Sequence, residues 1–196
     1  MPRAPSPPAR RQLPNQVRLI GGLWKRTKLD VPERPGLRPT PDRVRETLFN
    51  WLGQDLAGWR CVDAFAGTGA LGLEAASRGA ADVLLVEADG ALAEALRAVA
   101  KRLQAANVRV QRGNALTVLA GLPAASADLV FLDPPFDADL FDKALAAALP
   151  ALAPQGLVYL EAPTAWQGEA LARHGLELLR HLKAGAVHGH LLRRTA

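Results

Sequence analysis

The sequence predicts an α/β fold: a doubly wound, mostly parallel seven-stranded sheet with an antiparallel C-terminal edge, preceded by a small basic arm. Three observations predict it. Short apolar runs of strand length alternate with alanine- and leucine-rich stretches of helical period, the pattern of βαβ units. A glycine-rich turn, Gly67-Thr68-Gly69-Ala70-Leu71-Gly72, joins the first such strand to the first such helix. The final two runs flank Gly185 with no room for a crossover helix, so they close as a hairpin.

Each element has its own signal. Residues 1–16 hold five prolines and three arginines and are expected to be a disordered basic tail. Residues 17–52 form the arm and residues 53–196 the sheet domain. Val17 to Lys28 reads as a small hairpin turning through Gly21-Gly22. Thr40-Pro41-Asp42 reads as an N-cap, a proline at the first helical position and an acid in the first turn. Val44, Leu48, Trp51 and Leu52 then make one apolar stripe, which leaves Arg43, Arg45 and Asn50 off the packed face. In the sheet domain a strand ends near Asp63 and a helix covers Gly69 to Gly79. A strand at Asp82 to Val86 precedes a helix at Gly90 to Ala106. Next come a strand at Val108 to Arg112, a short helix from Ala115 to Ala120 and a strand at Leu129 to Leu132. A helix from Asp139 to Ala151, a strand at Leu157 to Glu161 and a short helix from Gln167 to His174 follow. The hairpin of Leu176 to Leu182 and Val187 to Arg193 closes the chain.

Two motifs carry chemistry. Gly67, Gly69 and Gly72 spell G-x-G-x-x-G, and Glu87 stands twenty residues after Gly67 at the end of the next strand. That matches a dinucleotide fingerprint, with a pyrophosphate on the helix N-terminus and an acid on the ribose. Asp63 argues otherwise, because its charge at the mouth of the same loop would repel a pyrophosphate. An acid there suits S-adenosylmethionine, which carries an ammonium and a sulfonium, with Glu87 holding the ribose hydroxyls. Glu74, inside the helix, is expected to be structural or solvent-facing. The second motif is Asp133-Pro134-Pro135-Phe136. Two prolines stiffen the exit from the fourth strand. The loop then presents a carboxylate acceptor, free carbonyls and an aromatic ring, a set that holds a planar base with an exocyclic amine. In a doubly wound sheet the first and fourth strands flank the switch point, so both motifs face one pocket.

At these residues the chain resembles the bacterial RsmD family. Asp63 to Ala80, Asp133 to Phe136, the segment Gly36 to Asn50 and the strand Val17 to Arg26 carry the likeness, which spans about Arg18 to Arg194. The tetrapeptide alone is shared by amino-methyltransferases of DNA, RNA and protein; the arm narrows the match. The resemblance implies a Rossmann-like methyltransferase that uses S-adenosylmethionine on a guanine N2 of small-subunit (16S) ribosomal RNA. It implies cofactor contacts from Asp63, Phe65, Gly67, Thr68, Gly69, Glu87, Ala88, Asn114, Ala115 and Asp133. Asn114 departs from the aspartate usual in relatives, and is expected to accept from the adenine amine through its side-chain oxygen. The implied catalytic set is Asp133, Pro134, Pro135 and Phe136, with Asp133 positioning the amine first and taking its proton second.

Charge divides the chain. Residues 1–45 hold 11 of the 24 Lys+Arg and only 3 of the 19 Asp+Glu, so a basic arm precedes a slightly acidic body. That is the footprint of a phosphate-backbone ligand. Lys25, Arg26, Lys28, Arg38, Arg43 and Arg45 are the candidate RNA contacts. The partner expected is ribosomal RNA in the small subunit or an assembly intermediate. The single cysteine, Cys61, reads as a core residue. No histidine or cysteine cluster at metal spacing is visible, so no metal is expected, and His188 and His190 read as surface or edge residues. With no apolar run of eighteen and no secretory leader, a cytoplasmic monomer without a membrane partner is expected. Three alternatives stay open: an NAD-dependent oxidoreductase on the literal glycine motif, an amino-methyltransferase of DNA or another RNA, and a non-catalytic RNA-binding module.

Overall fold

The computed structural model describes residues 16–32, 40–136 and 140–195. The expected tail therefore lies outside the described residues apart from Gln16, as do Arg38 and Asp139. The arm begins with β1 (Gln16–Arg18) antiparallel to β2 (Lys28–Asp30), followed by α1 (Asp42–Trp51). In the sheet domain β3 (Arg60–Asp63), β4 (Asp82–Glu87), β5 (Val108–Arg112), β6 (Ala127–Leu132) and β7 (Leu152–Ala162) run parallel. Between them lie α2 (Ala70–Ser77), α3 (Gly90–Arg102), α4 (Ala115–Ala120) and α5 (Phe141–Ala148). The short helix α6 (Glu169–Ala172) leads into β8 (Leu176–Ala184) and β9 (Val187–Arg194). The order is β5-β4-β3-β6-β7-β9-β8, so the doubly wound seven-stranded sheet is as expected. β9 inserts antiparallel between β7 and β8, and the closing hairpin supplies the antiparallel edge.

Period-2 alternation splits the core in two. Cys61, Val83, Leu85, Leu129, Phe131 and Tyr159 face the arm with α2 and Leu96 of α3. Val62, Leu84, Val130, Leu132, Val158 and Leu160 face α4 and α5. Strands buried on both faces need the near-continuous apolar runs seen in the sequence. Cys61 sits in the first of these cores, as expected. β7 starts five residues earlier than its apolar run suggests. A register shift between Ala127 and Leu129 absorbs the Pro154-Gln155-Gly156 stretch, so the proline does not break pairing.

The arm is fastened to α2 by polar contacts that the sequence hides. Glu74 is fully buried, and its carboxylate accepts from the Ile20 N–H at 2.8 Å and Arg78 Nε at 2.8 Å, with Arg45 at 3.5 Å. Of the two fates expected for Glu74, the structural one holds. Arg45 is also fully buried: it donates to the carbonyls of Arg18 (2.8 Å) and Thr40 (3.1 Å) and pairs with Asp42 at 2.6 Å. This corrects its assignment as an RNA contact. A guanidinium carries five donors, and here it makes bonds to Thr40, Glu74, Arg18 and Asp42 inside the protein, holding β1 and α1 on α2. Gly21 and Gly22 do not make a tight hairpin turn. Gly22, at φ +70°, lies so close to the Ser77 carbonyl that a Cβ would come within 1.8 Å. The Leu23 and Trp24 N–H groups then bond Ser77, at 2.7 and 2.8 Å.

Helix α1 differs in its cap. Pro41, not Thr40, takes the cap position, with ψ 147° and no side-chain cap bond. The Thr40 hydroxyl is used on Glu161 instead. The apolar stripe holds: Val44, Leu48 and Leu52 are buried and Trp51 packs partly against them, with Phe49 fully buried beside the stripe.

Breaking a buried ion pair leaves its partner charged and unpaired, which costs about 3–5 kcal/mol. Glu74→Gln is therefore expected to lower the unfolding free energy by about 3–5 kcal/mol in urea titrations. A loss below about 1 kcal/mol would mean that Arg45 and Arg78 find other partners.

Candidate active site

The site forms where strand order reverses, between β3 and β6. Asp63 pairs with Phe131, and the Ala64 N–H bonds the Phe131 carbonyl at 3.1 Å, so the glycine loop and the Asp133 loop leave the sheet side by side. The loop is built by backbone bonds to acids. Asp63 is buried, and its Oδ2 accepts the Gly72 N–H at 2.9 Å. Glu87 Oε2 accepts the Gly67 N–H at 2.9 Å, and its Oε1 accepts the Asp89 N–H at 2.8 Å. Gly69 caps α2 in the left-handed region at φ 78°, where a Cβ would also strike Leu96 and Leu73. At Gly72 a Cβ would meet Leu85 at 2.2 Å, so this glycine sets the packing of α2 on β4.

These bonds weaken the dinucleotide alternative. The Gly67 N–H that a pyrophosphate would use is already given to a carboxylate. An acid-lined cradle of Asp63, Glu87 and Asp133 fits a cationic ligand instead. Of the remaining expected cofactor contacts, Phe65 is half-buried, Thr68 and Ala115 are buried and Ala88 is exposed at the end of β4. Asn114 is exposed and its Oδ1 caps α4 through the Thr117 N–H at 3.1 Å. The oxygen expected to take the adenine amine therefore already has a local donor.

Asp133 is half-buried past the end of β6, with Pro134 buried and Pro135 exposed. Phe136 is 37% exposed and is backed by Phe141 at 6.1 Å between centroids, which in turn contacts Trp166 at 6.1 Å. The ring is thus partly open to solvent and partly packed against Phe141 in a tilted pair.

Two residues without a role in the sequence reading join this site. Glu161, near the end of β7, is 3% exposed and accepts the Tyr159 hydroxyl at 3.0 Å and the Thr40 hydroxyl. The available signal was an acid closing an apolar strand two residues after a tyrosine, which puts both on one face. Three carboxyls therefore crowd one end of the sheet. Burial pushes Asp63 up to about 7; the Gly72 N–H pulls it back, and the Glu87 charge adds to the rise. Burial also raises Glu161 to about 7, against the Thr40 and Tyr159 hydroxyls and the Arg45 charge. Asp133 is held well above the usual carboxylate range by burial, then by the charges of Glu161 and Asp63.

The basic candidates separate. Lys25, Arg26, Lys28 and Arg43 are exposed, and Arg26 sits at φ 73° in the arm loop. Arg45 is internal, as described above.

The histidines also depart from expectation. Hairpin register sets His181 opposite His190 with His188 beside them, and one nitrogen of each lies within 4.8 Å of the others. Sequence spacing alone conceals this grouping. His190 is fully buried, not an edge residue. It bonds the Leu160 carbonyl at 3.1 Å and accepts the Trp166 N–H at 2.9 Å, and burial lowers it to about 4. Both its nitrogens are thus engaged by the protein. His181 and His188 bond each other at 3.0 Å. No described helix is long and apolar enough to cross a membrane.

A family model described as "Conserved hypothetical protein 95" matches residues 17–193. The ribosomal RNA small subunit methyltransferase D of Escherichia coli K12 is 43% identical over 185 residues, covering 92% of this chain and 91% of that protein. The protein of the same name from Haemophilus influenzae is 40% identical over 158 residues, covering 76% and 82%. Among solved structures, a putative methyltransferase from Escherichia coli superposes with a TM-score of 0.79 at 38% identity, covering 92% of this chain and 99% of that one. A precorrin-6y C5,15-methyltransferase from Geobacter metallireducens shares the fold alone, with a TM-score of 0.68 at 18% identity, covering 86% and 94%. With the family model covering residues 17–193, this chain belongs to the RsmD family of Rossmann-like methyltransferases.

Proposed function

We propose that this chain methylates the exocyclic N2 amine of a guanine in small-subunit ribosomal RNA, with S-adenosylmethionine as donor. One observation carries the proposal: the Asp133-Pro134-Pro135-Phe136 loop stands beside an acid-held glycine loop at the switch point of the sheet. Relatives bearing the name ribosomal RNA small subunit methyltransferase D support the choice of RNA.

S-adenosylmethionine, when bound, supplies an electrophilic methyl, which the amine takes as the carbon–sulfur bond breaks and its electron pair stays on sulfur. The chain's own tasks are binding, orientation and proton handling. Glu87 has acceptor capacity left on both oxygens for ribose hydroxyls. Asp63 and Asp133 place negative charge where a cationic donor arrives, and that cation lowers the raised Asp133 carboxyl toward its ionised form. A guanine N2 lone pair is delocalised into the ring. Asp133 and the Pro134 carbonyl, accepting its two hydrogens, favour a more tetrahedral nitrogen, while Phe136 stacks on the base. Holding two reactants in one geometry supplies up to about 7–11 kcal/mol of barrier reduction. The exposed cations Lys25, Arg26, Lys28 and Arg43 position the RNA backbone, and Asp133 with Phe136 selects the base.

Asp133→Ala is expected to bind S-adenosylmethionine within a few fold of wild type in calorimetry, yet to lose most methyl transfer. Turnover near wild type would remove Asp133 from the chemistry. Glu87→Ala is expected to weaken S-adenosylmethionine by about 1.5–3 kcal/mol, the range for hydrogen bonds to a charged group. An unchanged dissociation constant, or tighter binding of NAD, would restore the oxidoreductase alternative. For the arm, RNA affinity should fall with salt at a log–log slope near −0.7 per phosphate contact for single strands. Neutralising Lys25, Arg26 and Arg43 together should flatten that slope by about two units. A slope that does not move would make these residues a solvated face.

A further inference from the structure

We propose that Glu161 is a positioning residue for proton removal: seated between the arm and the catalytic loop, it keeps Asp133 a strong enough base to take the N2 proton. The inference rests on the methyltransferase reading above and adds to it a residue outside the Asp-Pro-Pro-Phe loop.

The geometry is that of a built site. Leu132 pairs with Leu160, so the next residue on each parallel strand brings Asp133 and Glu161 to adjacent positions past the pairing. Phe131 and Tyr159, two residues earlier on each strand, are likewise paired and pack edge to face at 6.4 Å. Glu161 is 3% exposed and does not reach solvent. It is fixed by two hydroxyl donors, Tyr159 from its own strand and Thr40 from the arm. Room for the Tyr159 hydroxyl depends on Gly189 of β9, where a Cβ would stand 2.7 Å from it. A carboxylate so buried is costly unless it is paired and hydrogen-bonded, and here the two hydroxyls and Arg45 offset that cost.

The groups around it define the effect. Arg45 of α1 offsets part of its charge, Tyr159 and Thr40 donate to it, and Asp133 and Asp63 face it with like charge. His190 of β9 bonds the Leu160 carbonyl and so lies on the opposite face. Like charges in one low-dielectric pocket cannot all ionise, and the proton settles on the member whose charge is least compensated. The Gly72 N–H offsets Asp63, and two hydroxyls with Arg45 offset Glu161, which leaves Asp133, flanked by both charges, as that member. Transfer forms the N–C bond and leaves one surplus proton on the amine nitrogen. Asp133, entering the step ionised beside the cationic donor, accepts that proton, and its neighbour's charge then stabilises the protonated form. Water takes the proton when product leaves.

The test compares wild type with Glu161→Gln, which keeps the shape and removes the charge, and Glu161→Asp, which keeps the charge. Carboxyl-carbon NMR of the free protein reads Asp133 directly, assigned by its loss in Asp133→Asn. The Asp133 midpoint should fall by about one pH unit or more in Glu161→Gln and stay near wild type in Glu161→Asp. The acidic limb of the transfer rate should move the same way, with the dissociation constant for S-adenosylmethionine within about twofold. If Glu161→Gln does not fold, Tyr159→Phe serves. It removes a donor that stabilises the Glu161 charge, so Glu161 stays neutral to higher pH and the Asp133 midpoint falls. A folded Glu161→Gln or Tyr159→Phe whose Asp133 titration matches wild type would overturn the role of Glu161 alone. A wild-type chain that moves no methyl to a guanine amine, with the titration shift present, would overturn the methyltransferase reading and with it the catalytic use of this charge.

Discussion

The buried carboxylate of Glu74 is the interaction on which the rest of the structure depends. It sits in the middle of α2, directly after the glycine loop, and gathers the Ile20 amide and the guanidinium groups of Arg45 and Arg78. One carboxylate thereby ties β1, α1 and α2 into a single unit. The desolvation penalty of such an ion is several kcal/mol, so the cluster holds only with each partner present. Its consequence is positional. The helix whose N-terminus shapes the glycine loop is the same helix that the arm grips, so arm and loop are set in one frame. Arg78 completes the joint by lying over the Phe49 ring at 4.7 Å.

Just ahead of α1, a second polar joint does a different task. Thr40 gives up the capping role that its position suggests and bonds Glu161. The arm therefore reaches the rest of the protein twice, at Glu74 of α2 through charge and at Glu161 of β7 through a hydroxyl. Between these joints lie the strand ends that carry Asp63 and Asp133. Crowding three carboxyls there costs stability, a compromise common where pKa values are shifted at functional sites.

Acceptor side chains throughout this site act first on the protein's own backbone. Asp63 holds Gly72, Glu87 holds Gly67 and Asp89, and Asn114 holds Thr117. Each of these bonds freezes a turn before any ligand arrives, so ordering costs at binding are reduced. The same bonds separate this loop from a phosphate cradle of identical sequence pattern, because the amide that would bind an anion is occupied.

The sequence by itself determined the layering of the fold, the position of the glycine loop and the proline-stiffened loop of Asp133 to Phe136. Those features depend on local period and on residues that restrict φ, both of which act within a few positions of the chain. It also sufficed for the stripe of α1 and for Cys61 in the core. Tertiary structure alone decided which polar residues turn inward. Arg45 and Arg43 are two positions apart with the same charge, yet only Arg45 finds Glu74 within reach across 29 residues of chain. His190 is buried because β9 inserts beside β7, and Glu161 joins the site because α1 brings Thr40 onto it. Burial of a charge depends on partners distant in sequence, so no local pattern records it.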